Sequence, residues 1–220
     1  DQEKNPWDGR ITRAKALEQN IRTRLGQSVS VKDLSPILDE MRRVKDAHDI
    51  ERMRESARIG ARGMTEAIRA ARPGLYEYQL GAVAEFLFNW YGAAGPAYFP
   101  IVGSGPNSCI LHYHQNSRKM EAGELVVMDF APDYRYYMSD ITRTFPVSGN
   151  FSDEQARVYQ VVLDAQKAAI RKICPGSTFA EVSSAAREVI ARAGYVKYWL
   201  HGVSHYVGMS THDVGDTRAL

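Results

Sequence analysis

Residues 67–74, AIRAARPG, return as residues 169–176, AIRKICPG, at an offset of 102, the step from Ala67 to Ala169. Before the first copy, Ile50, Met53, Ala57, Gly60, Met64 and Ile68 recur at three- and four-residue spacing, which places them on one helix face. Pro73-Gly74 and Pro175-Gly176 are stop signals. Proline lacks the amide that a helix interior needs, and glycine readily takes the left-handed conformation of a helix end. The helices that follow are also closed in register, at Gly92 and Gly194. Five identities in eight residues could be coincidence; a shared order of helix, Pro-Gly stop, helix and glycine cap is harder to dismiss. The expected architecture is a duplicated α–α–β unit related by a pseudo-twofold. A site would lie between the halves, where the central strands meet the C-terminal ones.

Other elements follow from local chemistry. Ile11, Ala14, Leu17, Ile21 and Leu25 share a helical face ended by Gly26, and Ser35-Pro36 opens a helix to about Val44. A longer helix is expected over 46–71 and another over 77–91. Ser152 with Gln155, and Thr178 with Glu181, are capping boxes that open two more. Strands are expected at 29–34, 98–102 and 109–113. The glycine- and histidine-rich 195–220 reads as strands and turns.

Residues 124–146, ELVVMDFAPDYRYYMSDITRTFP, read as an antiparallel hairpin folded about Tyr134 and Arg135, which sets Asp129 opposite Asp140. Opposed side chains lie about 5 Å apart at Cβ, and like charges there repel unless something positive intervenes. Two divalent ions about 3.5–4 Å apart would suit that gap. A lone pair of acids at this spacing is more often two turn residues facing water. Five of the six histidines, however, fall in two short stretches: His112 and His114 in LHYHQN, and His201, His205 and His212 in HGVSHYVGMSTHD. His48 sits on a charged helix face and carries no function. Any single histidine is more often a hydrogen-bonded structural residue than a ligand, but clusters of it beside paired acids mark a metal or acid–base site. His201 and His205 are four apart, yet Gly202 replaces the glutamate of the helical zinc motif, and Val203, Val207 and Gly208 oppose a helix. On an extended strand the two would still share a face. The donors suit Mn, Zn or Co in a hydrolase, and no clustered thiols suggest structural zinc.

Composition closes off other classes. A chain of 220 residues, 44% hydrophobic and 25% charged, is long enough for a real core. A net charge of +2 gives no case for nucleic acid, and the arginines of 42–72 alternate with acids, as on a solvated helix face. No run approaches the roughly 18 apolar residues of a membrane span. Cys109 and Cys174 lack metal or redox spacing and are expected as buried free thiols, compatible with a reducing, cytoplasmic compartment. The chain starts at Asp1 without Met, so a removed leader stays open.

HYHQN, MDFAPDYRYYMSDITRTFP and HGVSHYVGMSTHDVG resemble the motifs of the metallopeptidases with the pita-bread fold. They are most similar to Xaa-Pro aminopeptidase and to the related Xaa-Pro dipeptidase, prolidase. The likeness covers about 44–216. It implies an α+β fold with a curved antiparallel sheet, flanking helices and an internal pseudo-twofold. It implies a manganese-dependent, proline-specific exopeptidase with two divalent metal ions, Asp129 chelating one, Asp140 bridging both and His205 a ligand. It further implies that His112 and His212 line the substrate pocket and take part in catalysis, with His201 close by, and that Arg143 orients an acid by ion pairing. The partner would be a peptide with proline second, with no nucleic acid and no membrane; relatives with an upstream domain imply a homodimer or homotetramer.

The pattern is incomplete. Two glutamate ligands of the family would lie beyond Leu220, together with the final strands. Residues 1–44 then read as the remnant of an upstream domain and linker helix, and 45–220 as an incomplete catalytic domain. Two carboxylates and one imidazole cannot neutralise two dications, so the chain alone is expected to bind metal poorly and to be inactive. Prolidase, and a non-catalytic peptide-binding pita-bread module, are the competing readings. Methionine aminopeptidase fits SDITRTFP less well.

Overall fold

The computed structural model describes residues 10–26 and 28–215. These fall into two compact units that divide between Met41 and Arg42. In the first, α1 (Arg13–Leu25) is capped by the Thr12 hydroxyl accepting from Lys15 N, and Glu18 pairs with Lys15 and Arg22. α2 (Ser35–Arg43) spans the division, and neither helix buries a residue. Residues 29–34 form no strand, because no second extended segment pairs with them and an unpaired strand is not stable in water.

The second unit opens with α3 (Ala47–Ala70) and α4 (Glu77–Trp90), then β1 (Gly95–Pro96), β2 (Ile101–Ser104) and a turn of 3-10 helix, Gly105–Cys109. β3 (Leu125–Asp129), β4 (Pro132–Tyr134), β5 (Tyr137–Met138) and β6 (Thr142–Pro146) follow, then α5 (Asp153–Lys172) and α6 (Phe179–Arg192). The strands form two antiparallel sheets, ordered β2-β3-β6 and β1-β4-β5. The strand expected at 98–102 starts late, at Ile101, because Pro100 has no amide for the ladder. Residues 109–113 are 3-10 and turn instead of strand, Pro106 fitting the first turn of a short helix.

Ile59, Met64, Ala67, Leu80, Ala84 and Phe88 from the helices bury against Val102, Val126, Met128, Phe130, Phe145 and Val147. Gly63 lets α4 approach α3: a Cβ there would lie 2.5 Å from Phe88 Cε1. Alternation along β3 sends Val126 and Met128 into this core, so Asp129 leaves from the opposite face.

A bond of 3.1 Å from Phe130 N to Ile141 O joins β3–β4 and β5–β6 into one long hairpin. Its turn lies at Arg135 and Tyr136, both with positive φ (52° and 69°), as a two-residue turn matched to strand twist requires. Asp133 Oδ1 holds it by accepting from Tyr136 N at 2.9 Å. The turn is thus one residue later than the sequence suggests. The register moves with it, and Asp129 pairs with Thr142, not Asp140.

The internal echo holds in three helix boundaries, while α3 starts four residues earlier than its counterpart α5. α3 and α5 end at Ala70 and Lys172, α4 and α6 start at Glu77 and Phe179, and they end at Trp90 and Arg192, every pair at the same offset. Gly92 and Gly194 take φ of 86° and 84°. The buried positions match too: Ala67 with Ala169, Leu80 with Val182, Ala84 with Ala186. The pairs differ in what covers them. α5 and α6 pack on one another around Ala165, Ala169, Val182 and Ala186, while Val162 and Ile170 stay exposed.

Two more expectations fail. Both cysteines are free but exposed; Cys109 closes the 3-10 turn, and Cys174 lies between α5 and α6 with Sγ 3.1 Å from Ser177 Oγ. Residues 195–215 hold a short 3-10 turn and bends but no strand, again because no extended neighbour pairs with them; residues 216–220 lie outside the described residues. No helix among the described residues is long and apolar enough to cross a membrane.

Candidate functional site

Asp129 closes β3, Asp140 lies between β5 and β6, and Tyr98 comes from the loop before β2. The Tyr98 hydroxyl sits between the acids, 2.5 Å from Asp129 Oδ1 and 3.2 Å from Asp140 Oδ1. Burial, then the two carboxylates, push this phenol far above its usual range, so it keeps its proton and donates. Burial also raises the Asp129 carboxyl. Hydrogen bonds from Tyr98 and Thr142 pull it back, the Asp140 charge pushes it up further, and the nearby His112 opposes. The net direction is up: one phenolic proton does not offset two facing acids in a half-buried place.

His205 reaches Asp140, Nε2 lying 3.0 Å from Oδ2. Its Nδ1 is 2.8 Å from the Tyr206 carbonyl oxygen, which can only accept, so Nδ1 carries the proton. In the neutral ring, Nε2 is then a bare lone pair facing a carboxylate oxygen. Two acceptors in contact need a positive charge between or on them, either a second ring proton or a cation. A backbone carbonyl fixing one ring nitrogen while the other points at an acid is the arrangement of a metal-binding imidazole.

The His212 ring stacks on His205 with centroids 4.0 Å apart and planes within 8°. His112 is exposed, with a left-handed backbone of φ 56°, and lies near enough to Asp129 for its charge to lower that carboxyl. His201 is exposed, its Nδ1 2.6 Å from the Gly202 carbonyl oxygen, and the structure gives it no ion pair with either acid. His114 lies edge-on to Phe99 instead. Arg143, expected to pair with an acid, donates to the Thr142 carbonyl at 2.7 Å.

The segment from His205 to Asp213 is held without a sheet. Asp213, its side chain only 1% exposed, pairs with Arg42 and with Lys45 Nζ at 3.0 Å. Ser210 Oγ accepts from Arg42 at 3.1 Å, and Met138 N donates to the Gly208 carbonyl at 2.8 Å. Sequence reasoning missed Tyr98 and this anchorage. Tyr98 is one of twelve tyrosines, and nothing in its neighbourhood distinguishes it.

Asp129, Asp140 and His205 are donors suited to a hard or borderline divalent cation. They match in kind and fall short in number: among the described residues no group of three or more His, Cys, Asp or Glu closes around one point.

Residues 51–219 match the model of metallopeptidase family M24. The chain is 36% identical over 217 residues to Xaa-Pro aminopeptidase of Escherichia coli, with 90% of this chain and 49% of the relative covered. To Xaa-Pro dipeptidase of Pyrococcus furiosus it is 35% identical over 182 residues, covering 83% of this chain and 52% of the relative. A solved structure of Escherichia coli aminopeptidase P, a variant in complex with substrate, superposes with a TM-score of 0.84 at 32% identity, covering 97% of this chain and 56% of that one. The chain spans about half the length of the curated relatives it matches. The fold is the α+β pita-bread fold.

Proposed function

This chain belongs to metallopeptidase family M24, and from that membership we propose that it carries part of the site of a Xaa-Pro aminopeptidase, an exopeptidase removing an N-terminal residue that precedes proline. The observation that carries this reading is His205 Nε2 held 3.0 Å from Asp140 Oδ2, with Asp129 joined to the same acid through Tyr98. Asp129 would hold one divalent cation, Asp140 would bridge two, and His205 would supply the imidazole. Further donors would come from the part of the relatives' length that this chain does not span. Manganese is the favoured ion, with zinc or cobalt as alternatives. Bound there, such cations polarise a carbonyl and acidify water.

The chain's own residues account for orientation and protons. Tyr98, its hydroxyl within hydrogen-bond reach of both acids, keeps Asp129 and Asp140 turned toward one another. His212, stacked on His205, and His112, near Asp129, would contact the peptide around the scissile carbonyl, where an imidazole N–H can stabilise developing negative charge. His201 would lie nearby on the substrate side. The reading includes a cytoplasmic place, resting on two cysteines without metal or redox spacing, and a homodimer or homotetramer, resting on the resemblance.

The test is calorimetric titration with Mn(II) and cleavage of a Gly-Pro peptide. The full-length protein carrying this chain should bind two equivalents and release glycine; the 220-residue chain alone should do neither. If the full-length protein binds no metal, the reading is wrong. Xaa-Pro dipeptidase is the second reading, supported by the 35% identity to the Pyrococcus enzyme. It predicts cleavage of Gly-Pro but not of Gly-Pro-Ala, whereas an aminopeptidase takes the longer peptide.

A further inference from the structure

Glu77, the first residue of α4, is wholly buried and lies outside the site just described. Its Oε1 accepts from Ser104 N at 2.7 Å, Ser104 Oγ at 2.8 Å and Asn107 Nδ2 at 3.1 Å. Its Oε2 accepts from Tyr113 Oη at 3.0 Å and Arg118 N at 2.9 Å. All five donors belong to one stretch, 104–118, which bears His112. A buried carboxylate is costly unless its lone pairs are filled, and here one stretch of chain fills them all. The helix N-terminus adds a favourable field.

The loop is also strained where it matters. His112 and Asn116 have φ of 56° and 47°, a region that non-glycine residues enter at a cost of about 1–3 kcal/mol and keep only when their surroundings dictate it. Asn116 is fixed by accepting from Val102 N at 2.9 Å and donating to the Pro100 carbonyl at 2.7 Å. His112 makes no such bond. Its neighbour Tyr113 is buried, and the Tyr113 hydroxyl, which donates to Glu77, accepts from Asn107 Nδ2 at 2.9 Å. His112 is therefore held by its neighbour's anchorage.

We propose that Glu77 is a positioning residue for His112: by gathering Ser104, Asn107, Tyr113 and Arg118 around one buried carboxylate, it fixes the left-handed turn at His112 and so sets where that residue stands beside the acids' site. The consequence for turnover rests on the reading of His112 as a substrate-facing group. The structural part does not.

The experiment is a double-mutant cycle in the Mn(II)-loaded full-length protein, with Glu77→Gln, His112→Ala and the double variant assayed on a Gly-Pro peptide. Glutamine keeps the shape but turns an N–H₂ toward the donors. Glu77→Gln should lower kcat about 30-fold with KM nearly unchanged, as expected when a reacting group is misplaced by a fraction of an ångström. In the His112→Ala background the same change should cost less than about 2-fold, the two acting as one unit. Equal losses in both backgrounds overturn the proposal, as does no loss in either. If Glu77→Gln fails to fold, Tyr113→Phe replaces it, with about a 5-fold loss expected and the same comparison deciding.

A second readout separates this from the peptidase reading. In protein carrying ¹³C-labelled histidine, the ring resonance of His112 should move in Glu77→Gln and Tyr113→Phe, while that of His48 stays. An unmoved His112 resonance overturns the proposal whatever the activity. A moved resonance in a protein that cleaves nothing overturns the peptidase reading and leaves Glu77 its positioning role.

Discussion

At the scale of single residues, the site is built from charges that need company. Tyr98 supplies the one proton between Asp129 and Asp140. Removing it in Tyr98→Phe should lower the stability of the metal-free protein by about 1–3 kcal/mol, the usual cost of leaving buried polar groups unsatisfied. In the full-length protein, saturating Mn(II) should shrink that deficit, since a cation then does the work of the proton. Equal deficits with and without Mn(II), by urea denaturation, would refute the account. Glu124 gives a cleaner pH test. Arg118 grips it through two hydrogen bonds of 2.6 Å, and chiefly for that reason its carboxyl titrates below its ordinary value of 4.5. A depressed carboxyl stabilises the fold above its unfolded pKa and stops doing so as pH falls through the folded one. Glu124→Gln should therefore cost about 1–2 kcal/mol at pH 7, with the difference from wild type constant down to about pH 5.5 and closing below 4.5. The residue types of the site were legible from sequence, since Asp129, Asp140, His205, His212 and His112 all belong to quoted motifs. Tyr98 and Glu77 were not. A phenol or a glutamate acquires meaning only from partners 31 and 36 positions away, and a single sequence does not show which distant residues touch.

At the scale of elements, helices were read almost to the residue, because caps and Pro-Gly stops are local chemistry; Ser152 and Thr178 make the capping boxes their sequence announces. Strands were read less well, since a strand exists only when another pairs with it. That is why 29–34 and 195–215 failed, and why one misplaced turn residue displaced Asp140 from its expected partner. The structure nevertheless brings both acids to Tyr98, because the segment 139–141 is pressed against α3. Ser56 Oγ donates to the Pro132 carbonyl at 2.9 Å and lies 3.1 Å from Ser139 Oγ. At Gly60 an added Cβ would stand 2.7 Å from Ile141 Cδ1 and 3.0 Å from Pro132 Cδ. Gly60→Ala should thus destabilise by about 1–3 kcal/mol despite alanine's better helix propensity. In the full-length protein it should also weaken Mn(II) binding by calorimetry more than Gly63→Ala, which crowds Phe88 of α4 and not the segment that bears Asp140.

At the scale of the whole molecule, the doubled helix pairs share boundaries but not surroundings. α3 and α4 close over strands that complete a core of large side chains, while α5 and α6 bury three alanines and one valine, with Val189, Ile190 and Trp199 only partly buried against them. Opening free energy follows buried apolar contact, so helix pairs built on one plan should not be equally durable. In native-state hydrogen exchange on this chain, amides of α3, α4 and β3 should exchange together and last. Those of α5 and α6 should exchange as a separate, earlier set, and a single common rate would contradict this. A duplicated plan thus yields two clocks: the half packed on its strands keeps its shape long enough to wait, and its twin, alike in its Pro-Gly stop and closing cap, is the half through which the molecule comes undone.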